Sequence, residues 1–408
     1  MPSFSIPLSG LQSNSISLST IGNNLANMNT TAFKKEDANF SDMFYQNIGT
    51  AGSNAPMQVG IGTRVSSINS DFSQGNLSGT GVSTDMAING NGFFVVQQGG
   101  TNMLTRNGNF QLSPGGALET ATGFPVMGYP AVNGVINTNA ALVNMTIPTS
   151  QTMLAHATTQ FSFTTALNSG TKIGDSYTSS TPMYDSQGTE HTVSVKFTKT
   201  GLNAWSYDVE MPAGESTGVS NNTGTLTFNP DGTVATPASD VTGITFTGLS
   251  DGASDMTLNW QLRDPAGNSL ITQGDQASSQ NASHQDGYPV GTYKSFSVDA
   301  TGIVSATFTN GGTEVLGQLA VATVANPEGL SRSGNNLYST NTASGVMDIG
   351  VAGAGSRGSV ESNTLEESNV DISTEFANLI VAQRSFQANS KTVTAFDTVT
   401  QETINLIR

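Results

Sequence analysis

The chain has 408 residues, a formal net charge of -16, only 11% charged residues and no Cys. That length suits about two to four domains. The acidity argues against nucleic acid and anionic membranes as partners, and the lack of Cys removes disulfides, thiolate chemistry and Cys-ligated metal. No run approaches the roughly eighteen apolar residues of a membrane helix, so no membrane insertion is expected. No Lys or Arg precedes an apolar block near the N-terminus, so a secretory signal peptide is not expected either; the chain reads as cytoplasmic or as exported without signal cleavage.

Residues 1–33 carry no charged side chain, the first being Lys34 and Lys35. Leu11, Leu18 and Leu25 recur every seven residues, with Ile21 and Met28 at a second position. This is the narrow stripe that a helix presents to a partner helix. The many Ser, Thr and Asn residues are mediocre helix formers, so the segment is either a polar tail or a helix that needs a partner. After Lys35 the period fades, and a Gly- and Ser-rich stretch near residues 50–62 predicts a long loop or extended arm.

Strands begin with DMAINGNGFFVV at residues 85–96 and continue through residues 104–118. Five stretches then carry the same turn chemistry: Ser113-Pro114-Gly115-Gly116, Asp185-Ser186-Gln187-Gly188, Asn229-Pro230-Asp231-Gly232, Asp264-Pro265-Ala266-Gly267 and Asp299-Ala300-Thr301-Gly302. Pro presets φ, Asp or Asn caps the turn and the last Gly accepts positive φ. So many short-range turns predict antiparallel β structure and not βαβ units. Residues 141–285 hold 12 acidic against 4 basic residues, half of the chain's net -16. Their strands alternate apolar and polar side chains as a half-solvated sheet does, which reads as an inserted β domain.

The last 39 residues, 370–408, form the only long stretch with a sustained helical period. Ile372, Leu379, Phe386, Val393 and Ile407 follow heptad spacing, with Phe376 and Phe396 on the alternate seam. Ser373 or Asn369 is placed to cap this helix, and Glu375 lies in its early turns, where negative charge suits the macrodipole.

Little points to chemistry. Gly353-Ala354-Gly355-Ser356-Arg357-Gly358 spells a dinucleotide-binding pattern, but no helix follows the polar residues 359–364, so no cofactor is expected. His156, His191 and His284 lack metal-ligand spacing, and no G-x-S-x-G elbow occurs. No catalytic, cofactor or metal residue is assigned, and the chain is not expected to be an enzyme.

LSGLQSNSISLSTIGNNLANMNTTAFK at residues 8–34 and SNVDISTEFANLIVAQRSFQANSKTVTAFD at residues 368–397 resemble the terminal signatures of the flagellar rod, hook and hook-associated axial proteins. DMAINGNGFFVV and TRNGNFQLSPGGALETATGFPVMGY resemble the β core shared by that family, and MYDSQGTEHTVSVKFTKTGLNAW resembles the inserted domain of its hook members. NPEGLSRSGNNLYSTNTASG and LEESNVD extend the resemblance over nearly the whole chain. Ala32 departs from it, standing where the motif usually has Gly, so a backbone with positive φ there would carry a steric penalty.

The resemblance implies a mainly β fold with helical termini. Residues 1–33 and 366–408 would pair as a coiled coil, 34–75 with 355–365 would form a connecting arm, 76–140 with 286–354 an intermediate β domain and 141–285 an outer antiparallel β domain. It further implies an extracellular homopolymer, a short curved tube joining rod to filament, with Leu11, Leu18, Ile21, Leu25, Met28, Ile372, Phe376, Leu379, Phe386, Val393, Phe396 and Ile407 on the polymerisation seam. The implied partners are a distal rod protein, a hook-cap protein, a hook–filament junction protein and the flagellar type III export apparatus. A distal rod or hook-associated protein, or a secreted β-rich glycan-binding protein, would be the alternative; the last would need a concave cluster of aromatics and carboxylates.

Overall fold

The computed structural model describes residues 4–50 and 56–406. It is mostly β, with helix α1 (Ser5–Ala26) and helix α2 (Ile372–Leu406) near the two ends, and it divides into two compact units. The first comprises Met1–Ile147, Phe296–Ser305 and Val315–Arg408; the second comprises Pro148–Ser295 and Ala306–Glu314.

In the first unit, α1 runs back along α2, and α2 begins where the Asp371 carboxylate accepts the Thr374 N–H at 2.7 Å. Asp371 is therefore the N-cap. Asn369 faces the other way, accepting the Lys35 N–H at 2.8 Å and donating to the Asp71 carbonyl at 2.9 Å.

Where the sequence suggested a loop or arm, the chain builds a two-tier antiparallel ribbon. β1 (Glu36–Asp42) pairs with β4 (Thr63–Ser70), and inside them β2 (Tyr45–Thr50) pairs with β3 (Pro56–Gly60). The ribbon rests on α1 through side chains that act as backbone. Asn24 donates to the Glu36 carbonyl at 2.8 Å and accepts the Glu36 N–H at 2.9 Å, as a neighbouring strand would. Ser9 Oγ accepts the Thr63 N–H at 3.2 Å.

Further along, β5 (Leu77–Gly79) pairs with Thr364–Glu366, and β6 (Met86–Asn89) with Ser359–Ser362. The approach to α2 is thereby stitched to the chain that follows α1. The β core of this unit pairs Phe93–Gln98 with Thr101–Thr105 and with residues 321–322, and it buries Phe93, Val95, Leu104, Met127, Tyr129, Ala320, Ala322 and Tyr338.

The second unit is a sandwich of two sheets. One is an antiparallel meander of Ser176–Tyr184, Glu190–Gly201, Ala204–Glu210, Thr223–Phe228 and Val234–Thr236. The other holds Gln160–Asn168, which pairs antiparallel with Ser279–Gln285 and parallel with Met256–Gln261 and Ile271–Gly274. A strand laid down first and joined again only after a long excursion can take parallel neighbours, which a tight hairpin cannot. Strict alternation of buried and solvated positions along Gln160–Asn168 and Glu190–Gly201 directs their apolar side chains into one core, which contains Trp205 and Trp260.

All five turns form as expected. The N–H groups of Gly116, Gly188, Gly232, Gly267 and Gly302 donate to the carbonyls three residues earlier at 2.9–3.2 Å, each glycine with φ between 80° and 89°. In three of them an aspartate Oδ1 collects two backbone N–H groups: Asp185 from Gln187 and Thr189, Asp264 from Ala266 and Asn268, and Asp299 from Thr301 and Ile303.

Ala32 has φ 56° and is fully buried, and its N–H donates to the Glu366 carbonyl at 2.8 Å. The strain foreseen for Ala is present. Ala32→Gly is expected to fall within about 1 kcal/mol of the parent, because relief of left-handed strain is offset by unfolded-chain entropy and a lost methyl. Ala32→Val adds a β-branch to a buried site with positive φ and is expected to cost about 2–3 kcal/mol. Amide hydrogen exchange at residues 32–34 reads both; a Val variant as protected as the parent would show that the backbone relaxes out of this conformation.

Candidate assembly surface

The face of α1 that turns inward is small and polar: Pro7, Gly10, Ser13, Thr20, Ile21 and Asn24 are its buried residues. On α2 only Glu375 and Ala382 are buried. A methyl added at Gly10 would lie 2.8 Å from Asn389 Nδ2, Asn24 donates to Glu375 at 3.3 Å, and the rings of Phe4 and Phe396 meet edge-on at 6.0 Å. Glu375, Ala382, Asn389 and Phe396 are spaced by seven, so α2 does meet α1 on a heptad face, but with small and hydrogen-bonding side chains that allow close approach.

The residues expected on the seam are distributed as follows. Ile21 is buried, and Leu11, Leu18, Leu25, Leu379, Val393 and Phe396 are half-buried. Met28, Ile372, Phe376 and Phe386 are exposed, by 37%, 46%, 52% and 38% respectively. Ile407 lies outside the described residues. With Ile380, Val381, Val399 and Ile404, the exposed Ile372, Phe376 and Phe386 leave apolar side chains open along α2, as Ile6 and Leu8 do on α1, more than a solvated helix ordinarily shows. The polar inner positions Gly10, Asn24, Glu375 and Asn389 escaped an apolar-periodicity reading; for Gly10 and Asn24 the signal was the absence of charge over residues 1–33.

At the foot of the helices lies a buried ionic junction. Lys34 Nζ donates to Glu366 Oε1 at 2.7 Å and to the Ser73 carbonyl at 2.6 Å, with both charged side chains fully buried. Glu366 Oε1 also accepts the Gly75 N–H at 2.9 Å, and Arg106 Nη1 stands 3.6 Å from Glu366 Oε2. Arg106 is held by the carbonyls of Ile88 at 2.9 Å and Gly90 at 2.6 Å. Burial pulls Lys34 and Arg106 below their ordinary values, with Glu366 opposing. Beside them Arg332 pairs with Glu36 at 3.0 Å, donates to the Lys34 carbonyl and lies over the rings of Phe33 and Tyr338. Six separate stretches of sequence are tied in this one place.

The second unit carries a different cluster. The buried His191 has Nδ1 at 2.8 Å from Glu215 Oε2, and Nε2 at 3.2 Å from Asp185 Oδ2 and 3.7 Å from Asp251 Oδ2. Burial lowers the affinity of the imidazole for a proton, and the hydrogen bonds to Glu215 and Asp185 outweigh it, so its pKa is raised. Asp251 is drawn down to about 2, first by its hydrogen bond with Asp185 and next by the Ala253 N–H. Of the other histidines, His156 stacks on Tyr288 at 5.4 Å and His284 is exposed. Trp205 and Trp260 are fully buried, so neither offers a surface on which a sugar could stack.

Comparison with known proteins covers the chain from end to end. Residues 6–34 match the flagella basal body rod protein model, residues 87–164 the flagellar hook protein FlgE/F/G D1 domain, residues 164–288 the flagellar basal body protein FlaE D2 domain and residues 361–406 the flagellar basal body rod FlgEFG protein C-terminal model. The flagellar hook protein FlgE of Escherichia coli (strain K12) is 36% identical, with 99% of each chain covered. That of Treponema pallidum (strain Nichols) is 31% identical, with 98% of each covered. The crystal structure of Helicobacter pylori flagellar hook protein FlgE2 aligns with a TM-score of 0.51 at 14% identity over 71% of this chain and 100% of that one, a likeness of fold. Matched over nearly its full length, this chain belongs to the flagellar hook protein FlgE family.

Proposed function

We propose that this chain is the structural subunit of the flagellar hook, polymerising outside the cell into a short curved tube that passes torque from rod to filament. The observation that carries this reading, beyond family membership, is the unpaired apolar surface of α1 and α2. Phe376, Ile380, Val381, Ile404 and Leu8 point away from the pair, and a copy of the same helices would cover them with matching chemistry. The inner seam suits such packing, because α1 brings no charge that a neighbour would have to compensate. A distal rod protein, a cap, a hook–filament junction protein and the type III export apparatus are the partners this role requires, with export that leaves the N-terminal segment uncleaved. The family is structural, and the role asks for no catalysis. The burial of both tryptophans speaks against the glycan-binding alternative.

The test compares the intact chain with one lacking residues 1–33 and 370–408, by electron microscopy and sedimentation. Tubes or long oligomers are expected from the intact chain alone. Equal polymerisation of the truncated chain would overturn the reading.

A further inference from the structure

The His191 cluster is more than a satisfied buried histidine. Three carboxylates surround one imidazole. Glu215 Oε2 stands 2.8 Å from Nδ1, and the single ring nitrogen Nε2 faces two carboxylate oxygens, at 3.2 and 3.7 Å. One N–H cannot align with both. Three carboxylates thus converge on one ring, with His191 and Asp185 both almost wholly removed from water.

We infer that Nε2 of His191, Oδ2 of Asp185 and Oδ2 of Asp251 form a site for a divalent transition-metal cation of the zinc type. The three donor atoms all lie within 4.8 Å of one another. Bonds of about 2.0–2.1 Å in tetrahedral geometry place ligand atoms about 3.4 Å apart, which the two distances from Nε2 bracket. Glu215 fits the same picture from behind. A metal-bound imidazole characteristically donates its remaining N–H to a carboxylate, which fixes the tautomer and turns the other nitrogen's lone pair toward the ion; Glu215 Oε2 stands 2.8 Å from Nδ1 to accept it.

Asp185 is held for this role independently of any ion. Its Oδ1 is committed to the N–H groups of Gln187 and Thr189 at 2.8 and 2.9 Å, so the carboxylate cannot swing away and Oδ2 is left facing His191. Asp251, with 24% of its side chain exposed against 0% for Asp185, marks the entrance, on the side where a water would complete the tetrahedron. One imidazole and two carboxylates suit zinc or its neighbours better than calcium or magnesium, which favour six or more oxygen ligands or an octahedral shell of waters. Charge agrees as well: a divalent cation with a neutral imidazole cancels Asp185 and Asp251, leaving only the partly exposed Glu215. Once bound, the ion would clamp the turn at Asp185 to the loop carrying Asp251, two segments otherwise far apart in sequence.

The inference stands apart from polymerisation and is tested on the full chain with Zn2+ by calorimetry, and with Co2+ by visible absorption, in a buffer without chelating groups. The parent is expected to take up one equivalent and to give the absorption bands of tetrahedral Co2+. Asp251→Asn, at the exposed edge where folding is least at risk, is expected to weaken binding by at least about tenfold, and Glu215→Gln by about 10–100-fold. His284→Ala should bind as the parent does. No saturable uptake by the parent would overturn the site. So would equal uptake by a folded Asp251→Asn chain, or uptake lost with His284, since both would mark ordinary surface binding.

Discussion

Replacing Glu366 with alanine is expected to destabilise the first unit by about 3–5 kcal/mol, the range found when one partner of a buried ion pair is removed. Lys34 and Arg106 would then be left buried without the carboxylate they share, and the Gly75 N–H would lose its acceptor. Exposed ion pairs are worth at most about 1 kcal/mol, so a loss of that smaller size would mean that water reaches the site. Glu366→Gln separates charge from shape. It preserves volume and an acceptor for Gly75, so a cost near that of alanine would assign the effect to the stranded charges, and a mild cost would assign it to packing. Chemical denaturation followed by circular dichroism, with hydrogen exchange to locate the loss, measures both variants.

A pH series adds an independent check. Burial already holds the Lys34 pKa below its ordinary value, and Glu366 is the largest influence pulling it back up. Removing Glu366 lowers it further. Between that folded pKa and the unfolded value of about 10.5 the unfolded chain binds the proton and the folded chain does not, so stability rises with pH across this window. The deficit of Glu366→Ala is therefore expected to shrink as pH rises toward 10. A deficit that is flat with pH would show that Lys34 escapes to solvent in the variant.

Truncating Trp260 to alanine is expected to cost the second unit about 3–5 kcal/mol, the range for loss of a large buried aromatic. The ring is fully buried and meets Phe161 at 6.0 Å, Phe197 at 5.9 Å and Tyr207 at 5.2 Å, so no single neighbour can collapse into the space. The comparison with Trp205 is sharper. Trp205 Nε1 donates to Gln273 Oε1 at 2.8 Å, and Gln273 also receives Lys199 at 3.3 Å, whereas Trp260 Nε1 has no hydrogen-bond partner. Trp260→Phe removes an unsatisfied donor; Trp205→Phe breaks a satisfied one. The first is expected to be milder than the second by about 1 kcal/mol, although the two residues are equally buried. The chain's 2 tryptophans both lie in this unit, so the fluorescence of the remaining one follows its unfolding in either variant. A reversed order would mean that the Trp260 N–H is satisfied by something other than a protein acceptor.

How much of this the sequence disclosed depended on how local the physics was. The turns ending at Gly188, Gly267 and Gly302 were readable because an aspartate, the N–H groups two and four residues later and one glycine suffice to make them. The alternation of the sandwich strands was readable because one face is dry and the other wet. The β1–β4 ribbon was not, since two strands lying on a helix have no dry face and therefore no alternation to display. The apolar heptads of α2 marked a helix built for burial, while the positions that meet α1, such as Glu375 and Asn389, look like solvent-facing residues in one dimension. Lys34, Arg106 and Glu366 were likewise indistinguishable from surface charges, and His191 stood near Asp185 in sequence with nothing to indicate that Asp251 would join them.

The ion pair between Lys34 and Glu366 closes a loop across 332 positions of sequence. In mechanical terms the helical pair and the β-built remainder are connected in parallel and not in series. A pull applied to one helix has a direct route to the other through this junction, without travelling along the intervening polypeptide. The β portions are then free of end-to-end tension, as panels hung from a tied frame are.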